Sequence, residues 1–422
     1  MRRPILSQLP YWEDAAEERT QGMGQFDPEI DGIIVNKFQL PYRASNNYRP
    51  KGENWSKSEI RCGFNRIYRL IIQRKGNIPQ PLIDEIRLLP QVAYIREGGI
   101  ASSPLPDRQY SKSSSLTRRY RNNQIGLQEA HLFTKGNPDI KIAILDTGFE
   151  DEHPEIRHTL LPGKDFVNIL DGANQFIGDY LGMDDDPDDE VGHGTHVAGI
   201  IGAKGLRMPL GVVPNCKIIP VKVLGALKRG ASVVGAGLID NINNGIKWAV
   251  DQEADVINMS LGIKHLGGGL PHEEVIEYAL EKGVSVVAAS GNDGSNDKYY
   301  PGALPGVIAV GAADDLGQVA PFSTFGGHVS LIAPGVNIYS SYLNNQYVIS
   351  SGTSQAAPFV AGAIGLLKSF ALKMGNRLHN DHITYLLKHT SDRINLQWKD
   401  GKAGYGLLNI LDALKLLQHK LS

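Results

Sequence analysis

From residue 124 onward the chain carries short apolar runs bounded by Gly, Asn or Asp: KIAILDTG (141–148), CKIIPVKVLG (216–225), ADVINMSLG (254–262), VSVVAASGN (284–292), VIAVGAAD (307–314) and VSLIAPG (329–335). Helical patterns lie between several of them, notably over 234–252, 273–282 and 355–374. Strands that are apolar on both faces and alternate with helices predict an α/β fold, with a parallel sheet covered on both sides. The upstream texture differs. Residues 1–60 are rich in Asn, Pro, Arg and Gly, with one short β-like run at 32–35. Residues 64–73 (FNRIYRLIIQ) alternate as a strand does, and 92–97 (VAYIRE) reads as a second strand. Between them, 80–89 (QPLIDEIRLL) places Pro81 in the first turn of a short helix. These elements predict a small α+β unit. Residues 98–123 (GGIASSPLPDRQYSKSSSLTRRYRNN) then read as an exposed, protease-sensitive linker.

Composition narrows the class. Of 422 residues, 41% are hydrophobic and 21% charged, enough for a sizeable core and unlike a disordered chain. The formal net charge of −2 gives no reason to expect nucleic acid as the main partner. That charge is unevenly divided: residues 1–120 hold 19 Lys and Arg against 13 Asp and Glu, and the rest hold 24 against 32. Opposite signs on two segments favour their association, although much of the acidic excess sits in one loop, DDDPDDE at 184–190. Two cysteines, Cys62 and Cys216, build no disulfide framework. No apolar run approaches the ~18 residues of a membrane helix. The N-terminal stretch turns polar before a secretion core could form. The expectation is a soluble, cytoplasmic protein without membrane contact, with export by a route lacking such a leader left open.

Three element ends carry unusual polar residues. Asp146 closes the run KIAILD, at the carboxyl end of a buried strand where ligands bind in open α/β sheets; an Asp there is also a common turn-maker. His193 and His196 begin a helix in GHGTHVAGIIGA (192–203). A zincin-type metal pair needs His at i and i+4 with a Glu between them, and no such Glu is present. A general base hydrogen-bonded to a strand-end Asp fits His193 better. Ser354 begins a helix behind Gly352 and Thr353 in SGTSQAAPFVAGAIGLL (351–367). A hydroxyl there suits developing negative charge, though a serine N-cap is the commoner meaning. Asn292, after another buried strand, adds a side-chain donor. Serine attack needs a base, an acid that holds the base's tautomer, and oxyanion donors. All these roles have candidates.

These stretches resemble the subtilases, the subtilisin-like serine peptidases. The resemblance is carried by AILDTG, GHGTHVAGII, VKVLG, INMSLG, AASGN, YPGALPGVIAVGA and SGTSQAAPFVAGA, in the family's order of Asp, His, Ser, over about 120–415. It implies a mainly parallel seven-stranded sheet between helices, closed by a helix within GYGLLNILDAL (404–414). It also implies an endopeptidase acting through an acyl-enzyme and needing no cofactor for its chemistry. Residue by residue, Asp146 becomes the orienting acid, His193 the base, Ser354 the nucleophile and Asn292 an oxyanion donor, while His196 falls to a structural role. Ser260-Leu261-Gly262 and Ala289-Ser290-Gly291 become the walls of the pocket for the residue before the scissile bond. Tyr299 falls where relatives close the floor of that pocket. That implies a shallow-to-medium apolar pocket preferring Leu, Phe, Met or Ala over Lys or Arg, unless Asp293 or Asp297 faces it.

Residues 83–101 also resemble the end of the subtilase propeptide. The implied organisation is a propeptide-like region at 1–97, ordered from about 30, then the 98–123 linker and a catalytic domain at 124–422. The partners would be protein or peptide substrates, with the chain's own N-terminal region as an intramolecular inhibitor in a zymogen. Two departures stand out. Gln355 follows Ser354 where the family most often has Met. The segment after the His193 helix, GAKGLRMPLGVVPN, lacks the Asn-rich calcium loop of many relatives. The acidic loop could instead hold Ca²⁺ through Asp184, Asp186 and Asp188. Two other readings remain: a maturation protease dedicated to one precursor, and a catalytically silent scaffold. A serine hydrolase of the G-x-S-x-G type is excluded, because its motif and residue order are missing.

Overall fold

The computed structural model describes residues 1–5, 8–17, 26–74, 76–103, 124–169, 176–180, 183–230, 232–265 and 269–422. They divide into two compact units, Met1–Gly99 with Leu266–Tyr278, and Ile100–His265 with Ala279–Ser422.

The second unit is built on a seven-stranded sheet in the order Val329–Pro334, Ile308–Ala313, Ser285–Ala289, Val256–Met259, Lys141–Asp146, Lys217–Lys222 and Lys164–Asp165. Every neighbouring pair is parallel, as the apolar runs and the family resemblance led us to expect. The seventh strand has only two residues and leaves no periodicity to read. Alternate residues of a strand serve opposite faces. A β-carbon on Gly365, in helix Thr353–Lys373, would lie 3.0 Å from Ile142, and one on Gly245, in helix Ile239–Asp251, 2.5 Å from Val223. Small residues thus let helices settle closely on the strands.

Helix Thr353–Lys373 is, among the described residues, the one long and apolar enough to cross a membrane, but 94% of its most apolar stretch is buried in protein. It is the central helix of the core, packed beside helix His193–Gly202. The closing helix runs over Ile410–Leu421.

One expected helix begins late. Residues 234–238 belong to strand Ser232–Leu238, antiparallel to Gly225–Arg229, and helix Ile239–Asp251 follows. Gly237 explains this: its missing β-carbon would lie 2.1 Å from the Val223 carbonyl oxygen, so a close strand approach wins over the helical period.

In the smaller unit, strands Tyr42–Asn46 and Tyr68–Ile72 pair antiparallel, and helix Gln80–Arg87 lies where Pro81 placed it. Three expectations are corrected. Residues 32–35 are helical: Asp27 caps Pro28–Asp31 through the Glu29 and Ile30 amides, and a π-turn continues over Gly32–Lys37. Residues 64–66 form a 3₁₀ turn before the second strand. Residues 92–97 form no strand; the sheet of this unit has two strands, and Arg96 reaches Glu274 at 3.9 Å. An unanticipated helix, Lys57–Arg61, is closed by a capping box of Ser56 and Glu59. Of the 98–123 linker, 104–123 lie outside the described residues, and Ile100–Ser103 forms a strand.

Candidate active site

Strand Lys141–Asp146 lies where the sheet's chain order reverses, the place in open α/β sheets where carboxyl ends meet ligands. Asp146 ends it, fully buried. Its Oδ1 accepts from the Thr147 amide at 2.8 Å and lies 2.6 Å from His193 Nδ1. Such a bond fixes both the ring's orientation and its tautomer. His193 opens helix His193–Gly202 behind Gly192, whose φ of 87° favours glycine. Gly194 keeps that helix near the strand: a β-carbon on it would stand 2.1 Å from the Gly148 carbonyl oxygen and 3.2 Å from Asp146 Cβ.

Asp189 holds the start of this helix. Its Oδ1 accepts from the Thr147 hydroxyl (2.8 Å) and from the Val191 and Gly192 amides (3.0 and 2.8 Å). Its Oδ2 accepts from the Thr195 amide and hydroxyl (3.0 and 2.7 Å). In the sequence, Asp189 is one more acid of the 184–190 run. The missed signal was its position just before a helix that begins Gly-His-Gly-Thr, where an Asp caps.

Ser354 is the second residue of helix Thr353–Lys373. Its hydroxyl donates to the Ser260 carbonyl at 3.1 Å, and the Ser260 hydroxyl donates back to the Ser354 carbonyl at 2.9 Å. Met259 pairs with Leu145, so Ser260 and Asp146 occupy the next register position on neighbouring strands. Ser354 is thereby tied to the strand ends that carry Asp146. Asn292 turns its Oδ1 to the Thr353 amide and hydroxyl at 2.8 and 2.9 Å. Its Nδ2 donor therefore points away from Thr353. The Thr353 contribution had no sequence signal beyond its place before Ser354. His196 is buried with Nε2 3.1 Å from the Ile338 carbonyl oxygen, a structural setting.

Ser260-Leu261-Gly262 and Ala289-Ser290-Gly291 extend adjacent parallel strands that pair Met259 with Ala288. Ser260, Leu261, Ala289 and Ser290 are buried. Tyr299 stands between the two segments, within van der Waals reach of both Gly262 and Gly291. Strand Ile100–Ser103 runs antiparallel to Ser232–Leu238, with Ser102 also bridged to Gly262.

The expected cation ligands Asp184, Asp186 and Asp188 do not form one cluster of ligand atoms. Asp184 groups with Asp165 and Asp179, their carboxylate oxygens all within 4.8 Å of one another; Asp186 and Asp188 are not in that group. Buried Asp165 already has the Lys222 ammonium at 3.1 Å, and burial pushes its carboxyl up to about 7 despite that charge. Two exposed carboxylates then remain, against the six to eight oxygens that Ca²⁺ takes. The donor set does not fit Ca²⁺. Where many relatives carry a calcium loop, the 205–207 amides all donate to buried Glu155, at 2.6–3.0 Å. A loop with its N–H groups inward offers a cation no carbonyl cage.

The subtilase family model matches residues 137–406. The chain belongs to the subtilase family. It is 38% identical over 264 residues to the thermophilic serine proteinase of Bacillus sp. (strain AK1), covering 62% of this chain and 59% of that protein. It is 37% identical over 253 residues to the major intracellular serine protease of Bacillus subtilis (strain 168), covering 58% and 73%. It is 33% identical over 328 residues to the alkaline protease of Alkalihalobacillus alcalophilus, covering 78% and 75%. A subtilase's parallel sheet with helices on both faces is the architecture found here.

Proposed function

We propose that this chain is a serine endopeptidase that hydrolyses protein and peptide substrates through an acyl-enzyme. The observation that carries the reading is the buried Asp146–His193 pair at 2.6 Å, beside the strand end to which Ser354 is bonded. In the proposed cycle, Ser354 gives up its bond to Ser260 and passes its proton to the outer nitrogen of His193 as Oγ attacks the substrate carbonyl. Asp146 holds the ring and offsets the imidazolium charge. Asn292 Nδ2 and the Ser354 amide take the oxyanion, and the leaving amine departs with the proton from His193. Water, deprotonated by the same base, then releases the acyl group. No step draws on a metal or cofactor.

We further propose that the N-terminal region is an inhibitor within a zymogen. Strand Ile100–Ser103, held by Ser232–Leu238 and Gly262, lies as a substrate or product strand would and supports this reading. The cytoplasmic reading is kept with it, supported by a relative named an intracellular protease. The experiment is hydrolysis of an unstructured protein by wild type, Ser354→Ala and Asn292→Ala. Ser354→Ala should abolish cleavage, and Asn292→Ala should lower turnover by about 10²–10³. Full activity in Ser354→Ala would end the proposal.

A further inference from the structure

We propose that Tyr299 plugs the pocket for the residue before the scissile bond, so that the enzyme cuts after Gly, Ala or Ser and rejects larger side chains. The inference rests on the serine endopeptidase reading and names the substrate class. It also departs from the sequence expectation, which admitted Leu, Phe and Met.

The position of the pocket follows from register. Strand Ile100–Ser103, proposed above as a product-like strand, gives the track for extended peptide, with Ser102 opposite both Ala236 and Gly262. The strand is antiparallel to this wall, so a peptide on the track advances from Gly262 toward Ser260, the residue hydrogen-bonded to Ser354. A residue whose carbonyl lies between Ser354 and Asn292 then has the Ser260–Gly262 and Ala289–Gly291 segments on either side, and its side chain enters between them.

Tyr299 already fills that gap. A β-carbon on Gly262 would lie 3.4 Å from Tyr299 Cβ and Cδ1, and one on Gly291 would lie 2.6 Å from Cδ2 and 2.8 Å from Cε2. The ring spans the slot from one glycine wall to the other, using the space that a side chain on either wall would take. It is also anchored. Its hydroxyl donates to Asp293 Oδ2 at 3.1 Å. The Lys264 ammonium joins Asp293 (2.7 Å) to Asp297 (2.6 Å) and sits 5.3 Å from the ring centre. Thr324 fixes the other oxygen of Asp293. The backbone adds to this, since Lys264 and Tyr299 face each other in a short antiparallel ladder. Asp293 and Asp297 are both engaged by Lys264, which offsets one of their two charges and holds both carboxylates on the ring's anchor. Admitting Phe or Leu would require the ring to leave a slot in which it is packed and bonded, and forced overpacking is unfavourable.

The test uses tetrapeptide amides that differ only in the last residue (Gly, Ala, Leu, Phe or Lys), with the mature enzyme. Wild type should show kcat/KM at least about 10-fold higher for Ala than for Phe. Tyr299→Gly, or Tyr299→Ala where the glycine variant fails to fold, should raise kcat/KM for Phe and Leu relative to Ala by about 10–10²-fold. Tyr299→Phe keeps the ring and should keep the preference. Lys264→Met frees the anchor and should raise Phe cleavage by a smaller factor. A wild type that prefers Phe, Leu or Lys, or an opened variant with an unchanged Ala-to-Phe ratio, overturns the plug and leaves the endopeptidase reading standing. Silence on every substrate overturns both.

Discussion

The Asp189 carboxylate receives five hydrogen bonds from four residues, binding the turn after Asp146 to the start of the His193 helix. Its hydrogen bonds go to the turn after Asp146 and to the helix start, so its expected effect is on the alignment of Asp146 and His193. Asn in its place offers one acceptor oxygen instead of two, so either the Thr195 pair or the Thr147, Val191 and Gly192 group is lost. Asp189→Asn should lower kcat about 10-fold with KM little changed, and Asp189→Ala should also destabilise the fold by about 2–4 kcal/mol. Paired kcat and melting measurements check this; a lower melting temperature with wild-type kcat would make Asp189 a plain structural cap. The candidate residues at strand and helix ends (Asp146, His193, Ser354, Asn292) stand out in the sequence because a polar group closing an apolar run is conspicuous. Asp189 does not, because one acid among five in DDDPDD has no mark that separates the capping carboxylate from the solvated ones.

Element by element, the fold was most legible where strands are buried on both faces and least where local chemistry overrides propensity. The Ile33-Ile34-Val35 run is β-like in composition, yet Asp27 and Pro28 start a helix just before it and the apolar side of Ile30 and Ile34 enters the core. Two short elements make further predictions. The 205–207 amides surround Glu155, and Gln would offer them a single acceptor oxygen with an N–H facing the others. Glu155→Gln should cost about 2–4 kcal/mol in thermal unfolding, and added Ca²⁺ should not restore it; rescue by calcium would show that this loop binds a cation after all. At the sheet edge, Asp165 and Lys222 are directly paired in register and buried. Burial pushes the Asp165 carboxyl up to about 7 from an ordinary 3.8. The native state therefore keeps a proton that the unfolded chain has lost, and this group's contribution to stability falls as pH rises from about 4 to 7. Lys222→Met removes the counter-charge and raises that carboxyl further. Its deficit against wild type should be small at pH 5 and grow by about 1.4 kcal/mol per pH unit above 7, to about 1–1.5 kcal/mol at pH 8. Equal deficits at both pH values would mean that the lysine acts through packing alone.

At the scale of the whole molecule, a basic N-terminal stretch precedes an acidic remainder that belongs to the subtilase family. One observation bears on the proposal that the N-terminal region also assists folding. The first unit includes part of the span matched by the family model: Tyr48 donates to Glu274 at 2.8 Å, and Phe64 meets Tyr278 edge-on at 5.1 Å. A parallel sheet joins strands far apart in sequence and folds slowly, so a segment that aligns them early speeds the search. In the proposed zymogen, strand Ile100–Ser103, paired with Ser232–Leu238 and Gly262, would supply the inhibitory part, because a peptide held on the substrate track excludes another. Its direction carries the chain toward Ser354, which puts the first cut within the 98–123 linker. Wild-type protein should therefore shorten from 46.0 kDa by a single early cut in that linker, with peptidase activity rising as the full-length form disappears. Ser354→Ala should stay full length alone and be cut in the same linker when mixed with mature wild type. Ser102→Pro removes an amide from a strand position and weakens the hold on the track, so processing should begin sooner. Sampling wild type over time for length and peptide hydrolysis decides the matter: full activity in uncut protein would make the N-terminal region an accessory domain, and cutting of Ser354→Ala in the absence of any other protease would place the processing elsewhere than at Ser354.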